Sequence, residues 1–133
     1  CTNNLTEAEV AAIMNKAHQQ FQAKHYEEAL DGFLEVGENT KQKRTEQERQ
    51  LYVSSQTMAA SCYESLGKYE EGYRLCESLL KGKLTNEEKA DVQHLFVMNG
   101  YFWAGSMMSR EEHIFAEVRD LYNIILPLAD DEM

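Results

Sequence analysis

Proline is almost missing from this chain: there is one in 133 residues, Pro127. Turn-rich β folds use more of it, so the shortage favours helices. Cysteine is sparse and odd in number. Cys1, Cys62 and Cys76 include no pair at C-x-x-C spacing, which indicates neither a disulfide framework nor a zinc site. Long apolar runs are absent, so no stretch approaches the length of a membrane helix. Positive charge is also short, with 13 Lys and Arg against 23 Asp and Glu and a net charge of −10. That balance argues against a phosphate-neutralising surface for nucleic acid and against an anionic membrane.

The same scarcity extends to chemistry. No Gly-rich loop opens a helix after a strand pattern, and nothing resembles a nucleophile elbow. His18, His25, His94 and His113 fall on four different expected segments, without a His or Cys partner at ligand spacing, so no metal is expected. Glu27-Glu28, Glu70-Glu71 and Glu111-Glu112 are neighbours in sequence, and neighbours on a helix do not face each other. Acids there suit the dipole of a first helical turn. The expectation is a protein that is not an enzyme and carries no cofactor.

What the chain does hold is helix punctuation. Four Ser/Thr-x-x-Glu boxes occur, at Thr6–Glu9, Thr45–Glu48, Thr85–Glu88 and Ser109–Glu112. In each, a hydroxyl can accept from an orphan backbone N–H while the Glu reaches back to the cap. Apolar residues at helical spacing follow the first box: Val10, Ile13, Met14, Ala17 and Phe21. A second helix carries Tyr26, Ala29, Leu30, Phe33 and Val36, with Gly37 and the polar run Glu38 to Arg44 read as a loop. The third runs from Thr45 to Leu66, where Gly67 suits a left-handed stop. A fourth carries Tyr69 to Leu80, and a fifth runs from Thr85 through Trp103 to a turn at Gly105-Ser106. The sixth runs from Ser109 to Pro127. Six helices in three antiparallel hairpins, about 6–37, 45–81 and 85–127, make an all-α reading of one domain.

The hairpins repeat. Tyr26-Glu27-Glu28-Ala29-Leu30-Asp31-Gly32-Phe33 returns, altered, as Tyr69-Glu70-Glu71-Gly72-Tyr73-Arg74-Leu75-Cys76. Each copy begins nine residues after a small residue, Ala17 or Ala60. The pattern resembles the tetratricopeptide repeat. Ala29-x3-Phe33 matches its second-helix motif, Ala60-x2-Tyr63 its first helix, and Phe96-x2-Asn99-Gly100-x2-Trp103 its first helix again. Gly72 and Cys76 replace the usual Ala and Phe, and long neighbours such as Tyr73 or Met58 are expected to fill the space. Ala17, Ala60 and Gly100 recur at 43 and 40 residues, longer than the roughly 34 of that family and close to HEAT-like periods, so another α-solenoid is the alternative.

The resemblance implies a right-handed α-α superhelix whose first helices line a concave groove. By register, the groove residues are Met14, His18, Phe21 and Gln22, then Ser54, Thr57, Ser61 and Glu64, then His94, Val97 and Tyr101. A peptide or protein segment is the implied ligand, with a signalling peptide or small molecule as the alternative in the same groove. A clamp for acidic tails is not expected. Where that family places Lys and Asn, this chain has Met14, His18, Met58 and Ser61, and like charge would repel such a tail. Lys41, Lys43 and Arg44, with Lys81 and Lys83, fall in inter-repeat loops and read as solvated turns. Helix 6 is apolar nearly all round at Asn123 to Leu128, which suggests self-association or a continuing chain. Cys1-Thr2-Asn3-Asn4 resembles the mature end of a bacterial lipoprotein, and an arbitrary boundary explains it equally. Sensory or scaffolding segments of bacterial envelope proteins look similar. The expected location is therefore lipid-anchored at the cell envelope through Cys1, with the cytoplasm as the alternative.

Overall fold

The computed structural model describes residues 5–108 and 115–132, with backbone alone at 115 and 130–132. Cys1 and the Ser109–Glu112 box lie outside the described residues. Six helices follow one another: α1 (Glu7–Gln22), α2 (Tyr26–Thr40), α3 (Glu46–Ser65), α4 (Tyr69–Leu80), α5 (Asn86–Met108) and α6 (Phe115–Glu132). No strand occurs among the described residues. The fold is all-α.

The caps act as their spacing dictates. Thr6 Oγ1 accepts from Glu9 N–H at 3.1 Å, and Glu9 Oε1 accepts from Thr6 N–H at 2.8 Å. Thr85 and Glu88 repeat the exchange at 3.1 and 2.9 Å. At α3 the box is shifted: Thr45 Oγ1 accepts from Glu48 N–H, but Glu48 reaches back one residue further, to Arg44 N–H at 2.9 Å. The stops are equally local. After α1, His25 N–H donates to Gln20 O and Lys24 N–H to Phe21 O, the bonding of a Schellman motif. Lys24 therefore takes φ 66°, and Gly67 takes φ 78° at the corresponding place after α3.

Three ends differ from the sequence expectation. The turn expected at Gly105-Ser106 does not form: α5 runs through both residues to Met108, and Gly105 sits exposed in the helix. Gly37 does not stop α2, which continues one turn to Thr40. There Thr40 Oγ1 donates to Val36 O at 2.8 Å, and the chain turns at Lys43, φ 53°. Gly37 instead marks a close approach, since a Cβ there would overlap the Gln56 side chain. Pro127 does not end α6, which runs on to Glu132. At about 100° per residue, Pro127 lies roughly opposite the buried stripe of Val118, Leu121, Ile125 and Ala129. The Asn123 carbonyl that it leaves unbonded thus faces water, which can satisfy it.

By contacts the chain divides into two compact units, Cys1–Leu66 and Gly67–Met133. In the first, α2 packs against both α1 and α3; in the second, α5 packs against both α4 and α6. Each of these four packings has a glycine at a close approach. Gly32 faces Ala17 across α1 and α2, and Gly37 faces Gln56 across α2 and α3. Gly72 faces Asn99 across α4 and α5, and Gly100 faces Ile125 across α5 and α6. Missing Cβ atoms let the helix backbones approach closely, which increases dispersion contacts along each interface.

The space facing Gly72 is occupied by an asparagine: a Cβ on Gly72 would lie 2.5 Å from Asn99 Oδ1 and 2.7 Å from its Cγ. Tyr73, 2% exposed, turns inward and stacks on Phe96 at 4.5 Å, with Trp103 at 5.3 Å. Burial raises the Tyr73 hydroxyl's pKa, with the nearby Glu77 carboxylate adding to it and Arg74 opposing.

Candidate functional site: the outer face of α5

In unit 1 the register-derived positions belong largely to packing. Met14 is 7% exposed and sits in the core. The His18 ring meets Phe33 edge-on at 5.2 Å, and Phe21 meets Tyr26 edge-on at 5.4 Å, so both rings join α1 to α2. Gln22 is exposed at the end of α1. On α3, Ser54 is exposed, Ser61 and Glu64 are half-buried, and Thr57 Oγ1 donates to Val53 O at 2.6 Å. These α1 and α3 residues stand on two helices that each pack on α2. A shallow hollow of about 180 Å³ lies instead near the beginnings of α1 and α3, lined partly by Leu5, Val10, Asn39 and Leu51. None of the register-derived residues lines it.

Unit 2 is different because of α5. Between Asp91 and Arg110 the sequence has no Asp, Glu, Lys or Arg. Most of that stretch is inside: Val92, Leu95, Phe96, Val97, Asn99, Gly100, Ala104 and Met107 are buried. A helix packed on two neighbours needs apolar residues over most of its circumference, and here they cover it. The remaining arc faces solvent, yet it is uncharged too. At about 100° per residue, His94, Met98, Tyr101, Phe102, Gly105 and Met108 fall within one arc of roughly 120°.

Of these, Phe102 is 41% exposed and Met108 50%. His94 and Gly105 are also exposed, while Met98 and Tyr101 are half-buried. Of the three expected groove positions on this helix, His94 and Tyr101 lie on the stripe and Val97, 2% exposed, lies inside. Neighbouring helices extend the stripe sideways. Phe102 packs tilted against Tyr69 of α4 at 5.1 Å, and Tyr101 packs against Tyr122 of α6 at 5.9 Å. The Tyr122 hydroxyl points at Met108 Sδ, 4.0 Å away. Leu126, one turn on from Tyr122 along the same flank of α6, is 45% exposed.

The family register misses Met98, Phe102, Met108 and Tyr122. A sequence signal for them does exist: the long uncharged stretch in a chain with 27% charged residues. A helix buried on one side alone carries polar and charged residues on its other face. Here the outer arc has no charge either.

This arrangement offers uncharged contact area. Among the described residues, no three His, Cys, Asp or Glu side chains converge as a metal site would require. No described helix is long and apolar enough to cross a membrane. In comparison with known proteins, no family model matches the chain, and no match is found among curated proteins or solved structures.

Proposed function

We propose that the chain is a tetratricopeptide-like interaction module that holds a segment of another protein against the outer face of α5. The observation that carries this reading is the uncharged Met and aromatic stripe, with Phe102 at 41% and Met108 at 50% exposure. Aromatic residues and Met are enriched, and charged residues depleted, at the centres of protein interfaces. Thioether side chains also re-pack easily around differing partners. Two local features support the family reading. Lys24 and Gly67 take the same left-handed turn ahead of the two Tyr-Glu-Glu segments, and Gly32 meets Ala17 where that repeat brings its two helices together.

The test places a photo-crosslinking amino acid at position 108 in cells that normally make the protein. Discrete protein adducts are expected, and Met98→Glu should abolish them. The same crosslinker at Glu35, on exposed α2 surface, should not form them. Adducts that survive Met98→Glu, or that appear equally from position 35, would remove the α5 face from consideration.

A further inference from the structure

The α5 stripe has a polarity along its length. Moving toward the start of the helix, the arc that carries His94 and Met98 continues through Asp91 and Glu87, both exposed. The face is acidic at one end and apolar at the other. Lys89, the cation that α5 carries near these acids, lies about 160° round the helix from each of them. Glu87 and Asp91 therefore face outward on the side of the helix away from Lys89. From Glu87 to Met108 the stripe is roughly 30 Å long at about 1.5 Å per residue.

The stripe also selects the backbone form of whatever covers it. An extended segment needs partners for its own N–H and C=O groups once it is desolvated. Met98, Phe102, Gly105 and Met108 offer no polar side-chain group for that purpose, the His94 ring and the Tyr101 and Tyr122 hydroxyls are too few to pair a strand along the stripe, and the α5 backbone is already bonded within its helix. An α-helix satisfies its own backbone and asks only for side-chain contact. A second copy of the chain is disfavoured as occupant, since each copy carries a net charge of −10.

Resting on the interaction reading above, we infer that the partner segment is an amphipathic helix of about 20 residues. Its apolar face covers Met98, Tyr101, Phe102 and Met108, and Lys or Arg at one end meets Glu87 and Asp91. The pairing of charges sets the direction in which the helix lies, because reversing it would set cations over Met108 and leave both acids unpaired.

The test is selection on the whole chain from two displayed 20-residue peptide libraries, one helix-forming and one proline-containing and extended. Binders are then measured by fluorescence anisotropy. The expected winners come from the helical library, with apolar residues at i, i+3, i+4 and i+7 and two or more Lys or Arg at one end. Their affinity should fall at least about 30-fold with Met98→Glu, the scale of losing an interface hot spot. It should fall about 3- to 10-fold with Glu87→Gln plus Asp91→Asn, and that variant should flatten the salt dependence. Far-ultraviolet circular dichroism of each variant excludes loss of fold as the cause. Winners that need Met98 but are extended, or carry no basic end, would overturn the helix inference and leave the interaction reading standing. Winners indifferent to Met98→Glu would overturn both. Sedimentation showing a dimer that Met98→Glu disperses would assign the face to a second copy and also overturn the inference.

Discussion

Adding one methyl group at Gly72 should destabilise unit 2, although the same change elsewhere on an exposed helix stabilises. Gly72 is interior to α4, where alanine is favoured over glycine by about 1 kcal/mol. Against that stands the Asn99 side chain. A Cβ at position 72 would lie 2.5 Å from Oδ1, 2.7 Å from Cγ and 2.8 Å from Nδ2. Asn99 is wholly buried and cannot swing into solvent, and its Nδ2 is held by Leu95 O at 2.9 Å. Overpacking of this kind costs about 1–3 kcal/mol. Displacing the amide also forfeits a buried hydrogen bond, about 0.5–1.5 kcal/mol. The net expectation for Gly72→Ala is a loss of roughly 1–3 kcal/mol, because the two costs together exceed the gain in helix propensity.

Asn99→Ala clears the obstacle, so Gly72→Ala made in that background should be stabilising by about 1 kcal/mol. The double-mutant cycle should then show a coupling of roughly 2–4 kcal/mol between the two positions. Gly105→Ala is the control: it is exposed in α5, nothing beyond its chain neighbours and its own helix backbone lies within 4 Å of where its methyl would sit, and it should stabilise by about 1 kcal/mol. Trp103 is the one tryptophan of the chain and lies in unit 2, so urea unfolding followed by its fluorescence reads the relevant half directly. A Gly72→Ala protein more stable than the parent, or a cycle that closes without coupling, would refute the packing argument.

Two further outcomes are expected. Lys24 holds φ 66°, a conformation that costs a residue with a Cβ about 1–2 kcal/mol and glycine little. Lys24→Gly should therefore raise stability by about 0.5–1 kcal/mol after the extra backbone entropy of glycine is subtracted, read as a higher urea midpoint at unchanged slope. Burial pushes the Cys62 thiol up from 9.0 to about 12. The native state then holds a proton that the unfolded chain releases above pH 9, so unfolding gains from rising pH. Stability should be insensitive to this group below pH 9 and fall between about 9 and 12, by up to about 1.4 kcal/mol per pH unit, a contribution that Cys62→Ala removes while the same-sign slope from the raised Tyr73 hydroxyl above about pH 10 stays. An unchanged slope in Cys62→Ala would count against the thiol as its source.

What could be read from the sequence is whatever is settled within about one turn of helix. The Thr-x-x-Glu boxes specify local hydrogen bonds, and the boxes at Thr6 and Thr85 form as their residues dictate. The turn at Gly67 is likewise a local demand for positive φ. Apart from Gly105, which α5 passes through with nothing packed on it, the misread features depend on residues distant in the chain. Gly37 looks like a stop until Gln56 is known to pack on it, and Gly72 looks like a void until Asn99 is found in it. An asparagine makes an unexpected filler, because an apolar residue avoids leaving Oδ1 without a hydrogen-bond partner among the described residues. Pro127 is tolerated in α6 because of the side it faces, which is a property of the packed unit and not of the dipeptide.

The outer face of α5 follows from the same distinction between local and distant causes. Its inner arc needs no explanation beyond burial: Val92, Phe96, Gly100 and Ala104 are apolar because α4 and α6 cover them. Phe102 and Met108 gain much less from folding, since about half of each remains in water. The hydrophobic contribution scales with area removed from water, roughly 25 cal/mol per Å², so charged side chains there would cost the fold little. Charged residues do occupy comparable outer positions elsewhere, such as Glu35 on α2 and Arg74 on α4. Folding alone therefore does not account for an uncharged outer arc on α5. The helical partner proposed above would account for it, and the acids at Glu87 and Asp91 would give that partner a direction.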